Sequence, residues 1–211
     1  MKEIHSLITA WLEALEREGR SSLTIAAYRR ALVHVAAWYR EVSGAAFDPG
    51  LLLARDVRDW LAAQRSIERA APASINQRLV ALTRFYAWAV AQGHCRANPA
   101  LGIRSVPLPA REPKGLDERA LRRLLRAVHR SANLRDIALV ELLAGAGLRV
   151  GELLALQVGD VKLGERSGTV TIRAGKHGGY RVVPLTREVR AALVDWLAVH
   201  PAPHDPNTTL W

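Results

Sequence analysis

Between residues 98 and 115 the chain carries four prolines, Pro99, Pro107, Pro109 and Pro113. Each fixes φ and removes a backbone donor, so neither a helix nor an interior strand runs through this stretch. A chain of 211 residues interrupted in this way near its middle has to build a separate core on each side. The segment also holds Arg104, Arg111 and Lys114. Residues 98–115 therefore read as a basic linker between one domain at 1–97 and another at 116–211.

The two sides differ in their hydrophobic period. Before the linker the pattern predicts four helices: a stripe of Ile4, Leu7, Ile8, Trp11, Leu12 and Leu15 stopping at Gly19; a second helix capped by Ser22 and ending near Gly44; a third over about 55–66; and a fourth starting at Ser74 and closing at Gly93. Beyond the linker Asp117 caps another helix, followed by helices at 134–144 and 149–156. After Gly159 the period becomes two. Stretches around Val161, at 169–173 and at 181–185 are rich in Val, Ile and Thr and bounded by glycines, which predicts a small antiparallel sheet. Thr186 caps a last helix, and the final residues look like the start of a strand. The fold class is mainly α with a small antiparallel sheet.

Charge narrows the function. Thirty Lys+Arg against 20 Asp+Glu leave +10, divided equally between the two sides of Pro107. An excess carried by both halves suits two surfaces facing one polyanion, most simply a nucleic-acid backbone. No apolar run approaches the roughly 20 residues a spanning helix needs, and the N-terminus lacks a secretory pattern, so a cytoplasmic protein is expected. A single Cys95 forms no internal disulfide. No metal is expected, because Pro201 and Pro203 break the helical spacing of His200 and His204. Gly175-Lys176 is followed by His177 and then a strand, which excludes a phosphate loop. The glycines at 145, 147 and 151 depart from dinucleotide-binding spacing and follow a helical stretch. No cofactor is expected.

One stretch combines several residue types at fixed spacing: residues 145–161, GAGLRVGELLALQVGDV, with Arg149, Glu152, Leu153, Leu156 and Asp160. It resembles the first catalytic box of the tyrosine recombinases, the phage-integrase and Xer-like family. The resemblance extends to SSLTIAAYRRAL, with Thr24, Tyr28 and Arg29, and to SINQRLVALTRFYAWAV, which is similar to the family helix that lies on DNA. It implies a four-helix SAM-like core-binding domain, part of an α+β catalytic domain, and a clamp around double-stranded DNA. Intact relatives act as tetramers on two sites, which implies a homo-oligomer.

The resemblance makes Arg149, Glu152 and Lys176 the catalytic candidates. A planar guanidinium at Arg149 meets the non-bridging oxygens of a phosphodiester with parallel donors, and Glu152, one turn later, holds the arginine or a neighbour in place. Lys176, one of only four lysines, sits in a glycine-flanked hairpin loop where it can protonate a departing 5′ oxygen. The DNA-contact candidates are Thr24, Tyr28, Arg29, Ser74, Asn76, Arg78 and Arg84, with Arg111 and Lys114 in the linker and His177 and Arg181 on the hairpin. The family's His-x-x-Arg box and nucleophilic Tyr find no counterpart in these 211 residues. The expectation is a recombinase-type DNA-binding chain that does not cut strands alone, with a non-catalytic occupant of recombination sites as the alternative.

Overall fold

A computed structural model describes residues 6–110, 115–173 and 179–211. Ile4, Arg111, Lys114, Lys176 and His177 lie outside the described residues. The chain divides into two compact units, Met1–Glu112 and Pro113–Trp211.

In the first unit the stripes become helices α1 (Ser6–Arg17), α2 (Ser22–Ser43), α3 (Ala54–Ser66) and α4 (Pro72–Ala91). Two starts differ from the sequence-based expectation. The cap of α2 is Ser21, whose extended backbone lets its Oγ accept from the Thr24 N–H, and Ser22 is already helical. Helix α4 begins at Pro72 instead of Ser74, because the first turn has no use for the donor that proline lacks. The core is aromatic: Trp11 stacks on Tyr28 at 5.4 Å, and Phe85 meets the Trp11 ring edge-on at 5.6 Å. Tyr86 is buried and donates its hydroxyl to the Pro49 carbonyl at 2.9 Å.

The segment expected to be linker from residue 98 onward begins as part of this unit. Ala100 is buried, Ile103 and Val106 pack on the core, and the Asn98 amide donates to the Thr83 carbonyl. Proline prevents helix in this stretch without preventing burial.

The second unit contains α5 (Glu118–Arg130), α6 (Leu134–Ala146), the short α7 (Val150–Leu154) and a 3₁₀ turn (Val158–Asp160). Strands β1 (Val161–Leu163), β2 (Gly168–Ile172) and β3 (Arg181–Pro184) follow, and α8 (Arg187–Ala198) completes it. The strands form an antiparallel sheet in the order β1-β2-β3, with Val170 opposite both Val161 and Val183. Val170 and Ile172 point into a core shared with Leu142, Leu153, Val189 and Leu193. Helix α6 crosses α8 at Gly145, where a Cβ would stand 2.6 Å from a Val189 methyl. The 134–144 helix thus runs two residues further than its pattern suggested, because a glycine there is what the close approach requires.

The final residues are part of this core. The Leu210 N–H donates to the Leu156 carbonyl at 2.9 Å, the Val158 N–H to Thr208, and the indole N–H of Trp211 to the Leu153 carbonyl at 2.7 Å. Their strand character is a single bridge between Gln157 and Thr209.

Candidate nucleic-acid interface

Arg149 emerges where α6 ends. Gly147 takes a left-handed conformation at φ +60°, Leu148 is buried, and Arg149 caps α7 with extended backbone. The turn therefore has an anchor on one side and a helix start on the other. Arg149 is the cap itself, so the helix expected over 149–156 is shorter at both ends.

Glu152 organises the site. Its side chain is only 4% exposed, yet both oxygens are fully used. Oε1 accepts from the Arg149 guanidinium at 2.7 Å and from Arg181 Nη1 at 3.0 Å. Oε2 accepts from the Arg149 backbone N–H at 3.0 Å and from Arg181 Nη2 at 2.7 Å. Four donors on one carboxylate match its whole acceptor capacity. The Arg181 guanidinium and then the Arg149 N–H hold the Glu152 carboxyl well below the usual range, and Glu152 in turn keeps Arg181 more firmly charged.

One carboxylate cannot neutralise two guanidiniums, so the site retains a unit of positive charge. Arg149 is 64% exposed and Arg181 38%, which leaves donors free to meet a ligand oxygen. Asp160 is a second buried acid paired with an arginine. Buried in the 3₁₀ turn, it accepts from the Gln157 N–H at 2.9 Å and forms an ion pair with Arg173 at the end of β2. Arg173 and Arg181 thus flank the residues 174–178 in sequence, each tied to a buried acid.

Glu152 also sets a pH dependence. Its folded-state pKa lies below the unfolded value, so its contribution is complete above roughly pH 4.3 and is lost as pH falls from there toward the folded value. The melting temperature of the second unit is expected to fall more steeply below that pH in the native chain than in Glu152→Gln. Parallel curves would show that the carboxylate carries none of this linkage.

In the first unit three of the DNA-contact candidates have partners within the unit. Tyr28 is buried against Trp11. Asn76 spends its amide on Val106, donating to the carbonyl at 2.8 Å and accepting from the N–H at 2.7 Å. Arg78 donates to Gln64 at 2.8 Å and Glu68 at 3.1 Å. Their helical positions fall beside the apolar stripe, where a polar side chain can turn inward. Thr24 is half-buried and bonded to Ser21, while Arg29, Ser74 and Arg84 are more open, with the Arg84 guanidinium 5.9 Å from the Tyr28 ring centre.

The role of Asp160 as an anchor for Arg173 was not apparent from the sequence, since only the sheet brings the end of β2 to the 3₁₀ turn. Among the described residues no three His, Cys, Asp or Glu gather as metal ligands, and no helix is long and apolar enough to cross a membrane.

Comparisons with known proteins agree with this architecture. Residues 114–211 match the model of the phage integrase family, and residues 8–93 that of the phage integrase N-terminal SAM-like domain. Tyrosine recombinase XerC of Methylobacterium nodulans is 34% identical over 224 aligned positions, covering 99% of this chain and 67% of that protein. XerC of Neisseria gonorrhoeae is 35% identical, covering 93% of the chain and 65% of the relative. For XerC of Actinobacillus pleuropneumoniae the identity is 36% and the coverage 66% and 45%. The chain spans about half to two thirds of the length of these relatives. In fold it is similar to a lambda integrase dimer bound to a COC′ core site, with TM-score 0.69, 18% identity, and coverage of 93% of this chain and 54% of that one. It is also similar to XerH bound to a palindromic difH substrate, with TM-score 0.67, 18% identity, and coverage of 90% and 56%.

Proposed function

The chain belongs to the phage integrase family of tyrosine recombinases, and on that premise we propose that it binds duplex DNA with both units and presents Arg149 to a phosphodiester of the bound strand. The observation that carries this reading is the pairing of two guanidiniums on the single buried carboxylate of Glu152. Such a site is preorganised: the arginines are oriented before the ligand arrives, and among the described residues the surplus charge has no second acidic partner. To Lys176 falls the proton for the departing 5′ oxygen, and to Arg181 and His177 further contact with the DNA. Thr24, Arg29, Ser74 and Arg84 of the first unit and Arg111 and Lys114 of the connection contact the flanking backbone.

The 211 residues on their own bind and do not cleave. No His-x-x-Arg occurs in them, and none of the four tyrosines is suited to attack. Tyr28 and Tyr86 are buried, Tyr39 packs against the first core, and Tyr180 stands next to Arg181 in the approach to β3. The intact family activity, strand exchange through a 3′-phosphotyrosine, needs the residues these positions do not supply.

The test is fluorescence anisotropy on a labelled duplex over a salt series. Binding should weaken steeply with salt, and Arg149→Ala combined with Lys176→Ala should reduce the slope of log K against log salt by about 1, at roughly 0.9 for the one phosphate left without these cations. Absence of salt-sensitive binding at about 50 mM salt, where phosphate contacts are strongest, would overturn the reading. A denaturing gel of the same mixtures should show no covalent protein–DNA species.

A further inference from the structure

Helix α5 carries a second concentration of charge, outside the Arg149 site. Its thirteen residues include Arg119, Arg122, Arg123, Arg126 and Arg130 against the single acid Glu118, a net +4 of the chain's +10. At 100° per residue these five arginines fall within an arc of about 100° on one face, and over the α-helical rise they extend about 16 Å. Leu121, Leu125 and Val128, on the opposite face, are half-buried. His129 ties the helix to α6 through Glu141 at 2.8 Å. The helix is therefore held by one side and offers the other, and all five arginines are exposed.

This face opposes itself. The spacings 119–122, 119–123, 122–126, 123–126 and 126–130 bring like charges together at i,i+3 and i,i+4, an arrangement that weakens a helix. Of these five arginines only Arg122 has an ion-pair partner among the described residues, Glu118. A polyanion laid along the stripe would remove the repulsion. The arc contains no large apolar side chain, so it lacks the hydrophobic centre on which protein interfaces are built. A row of phosphates needs none. Its length equals the axial rise of about five base pairs of duplex, at 3.4 Å per phosphate along one strand.

We infer that the arginine face of α5 is a separate DNA-binding surface that tracks the phosphate backbone without reading sequence. The inference rests on the DNA-binding reading above, and places a share of the affinity on residues distant in sequence from Arg149. It carries no chemistry; its role is to hold the duplex against the second unit through a row of charge-assisted contacts.

The test uses the full 211-residue chain and duplexes of two unrelated sequences. The combined variant Arg123→Gln, Arg126→Gln and Arg130→Gln keeps residues of similar helix propensity and should lower the salt slope by about 2 to 3, equally on both duplexes. The corresponding triple change to lysine should retain the slope, since lysine meets a phosphate as a point charge. If the triple glutamine variant loses its helical circular dichroism, the three single variants decide the matter, each expected to lower the slope by about 1. A native slope in the glutamine variants, with the slope still reduced by Arg149→Ala, overturns this inference alone and leaves an acidic protein as the partner of the stripe. Failure of the native chain to bind DNA overturns it together with the function on which it rests.

Discussion

Trp60→Ala is expected to destabilise the first unit by about 3–5 kcal/mol, the range for removing a large buried aromatic. Trp60 is 0% exposed, and more than its volume is at stake. Its indole N–H donates to His34 Nδ1 at 3.0 Å, which fixes the neutral His34 as the tautomer protonated at Nε2. That nitrogen faces Glu68 at 3.0 Å, and Glu68 also receives Arg78. Gln64, likewise buried, donates to the Trp60 carbonyl and accepts from Arg78. Removing the indole leaves a cavity and frees the imidazole to rotate, so α2, α3 and α4 lose a shared polar clasp. A domain whose total stability is about 5–15 kcal/mol would lose a large part of it. Thermal melts of the first unit should show the drop. Trp60→Phe, which keeps most of the volume but not the donor, should fall between the two; equality with the native chain would show that the hydrogen bond contributes nothing.

Gly159→Ala is expected to have the next largest effect, about 1–3 kcal/mol on the second unit, as for other overpacked sites. A Cβ at residue 159 would lie 2.7 Å from Pro206 Cβ and 2.9 Å from the Pro206 carbonyl oxygen. The Pro206 carbonyl also accepts the Gly159 N–H at 3.0 Å, so the clash falls on a hydrogen-bonded backbone with no side chain to rotate away. Relief requires residues 206–211 to move. Leu210, 0% exposed, would then leave the core, and the Trp196 indole would lose the Leu210 carbonyl at 2.7 Å. Red-shifted fluorescence of Trp196 and Trp211, together with faster proteolysis after residue 200, is the expected signature. Because these residues brace Leu153 and Leu156, on either side of the end of α7, the variant should also loosen the Arg149–Glu152 turn and weaken the proposed DNA binding. An unchanged melt would show that the terminal residues add nothing to the unit.

Much of this protein follows from local rules acting on its sequence. Prolines at 99, 107, 109 and 113 divide the chain, and 3.6-residue and two-residue periods distinguish helices from strands. Caps such as Asp117 and Thr186 mark helix starts correctly, because a capping bond spans only three residues. The Arg149–Glu152 pair was legible for the same reason: both belong to one helical turn. The arginine row of α5 obeys the same period, since arginines spaced at i,i+3 and i,i+4 fall on one helical face.

Tertiary structure decided what depends on partners distant in sequence. It brings Arg181 to Glu152 across a sequence separation of 29 residues, assigns Arg173 to Asp160, and packs the terminal residues onto Leu153 and Leu156. It also gives Tyr28, Asn76 and Arg78 partners inside the first unit that their helical positions did not reveal. Periodicity says which way a side chain leaves its helix, while the neighbouring elements determine whether water, a carbonyl or another ring is waiting there.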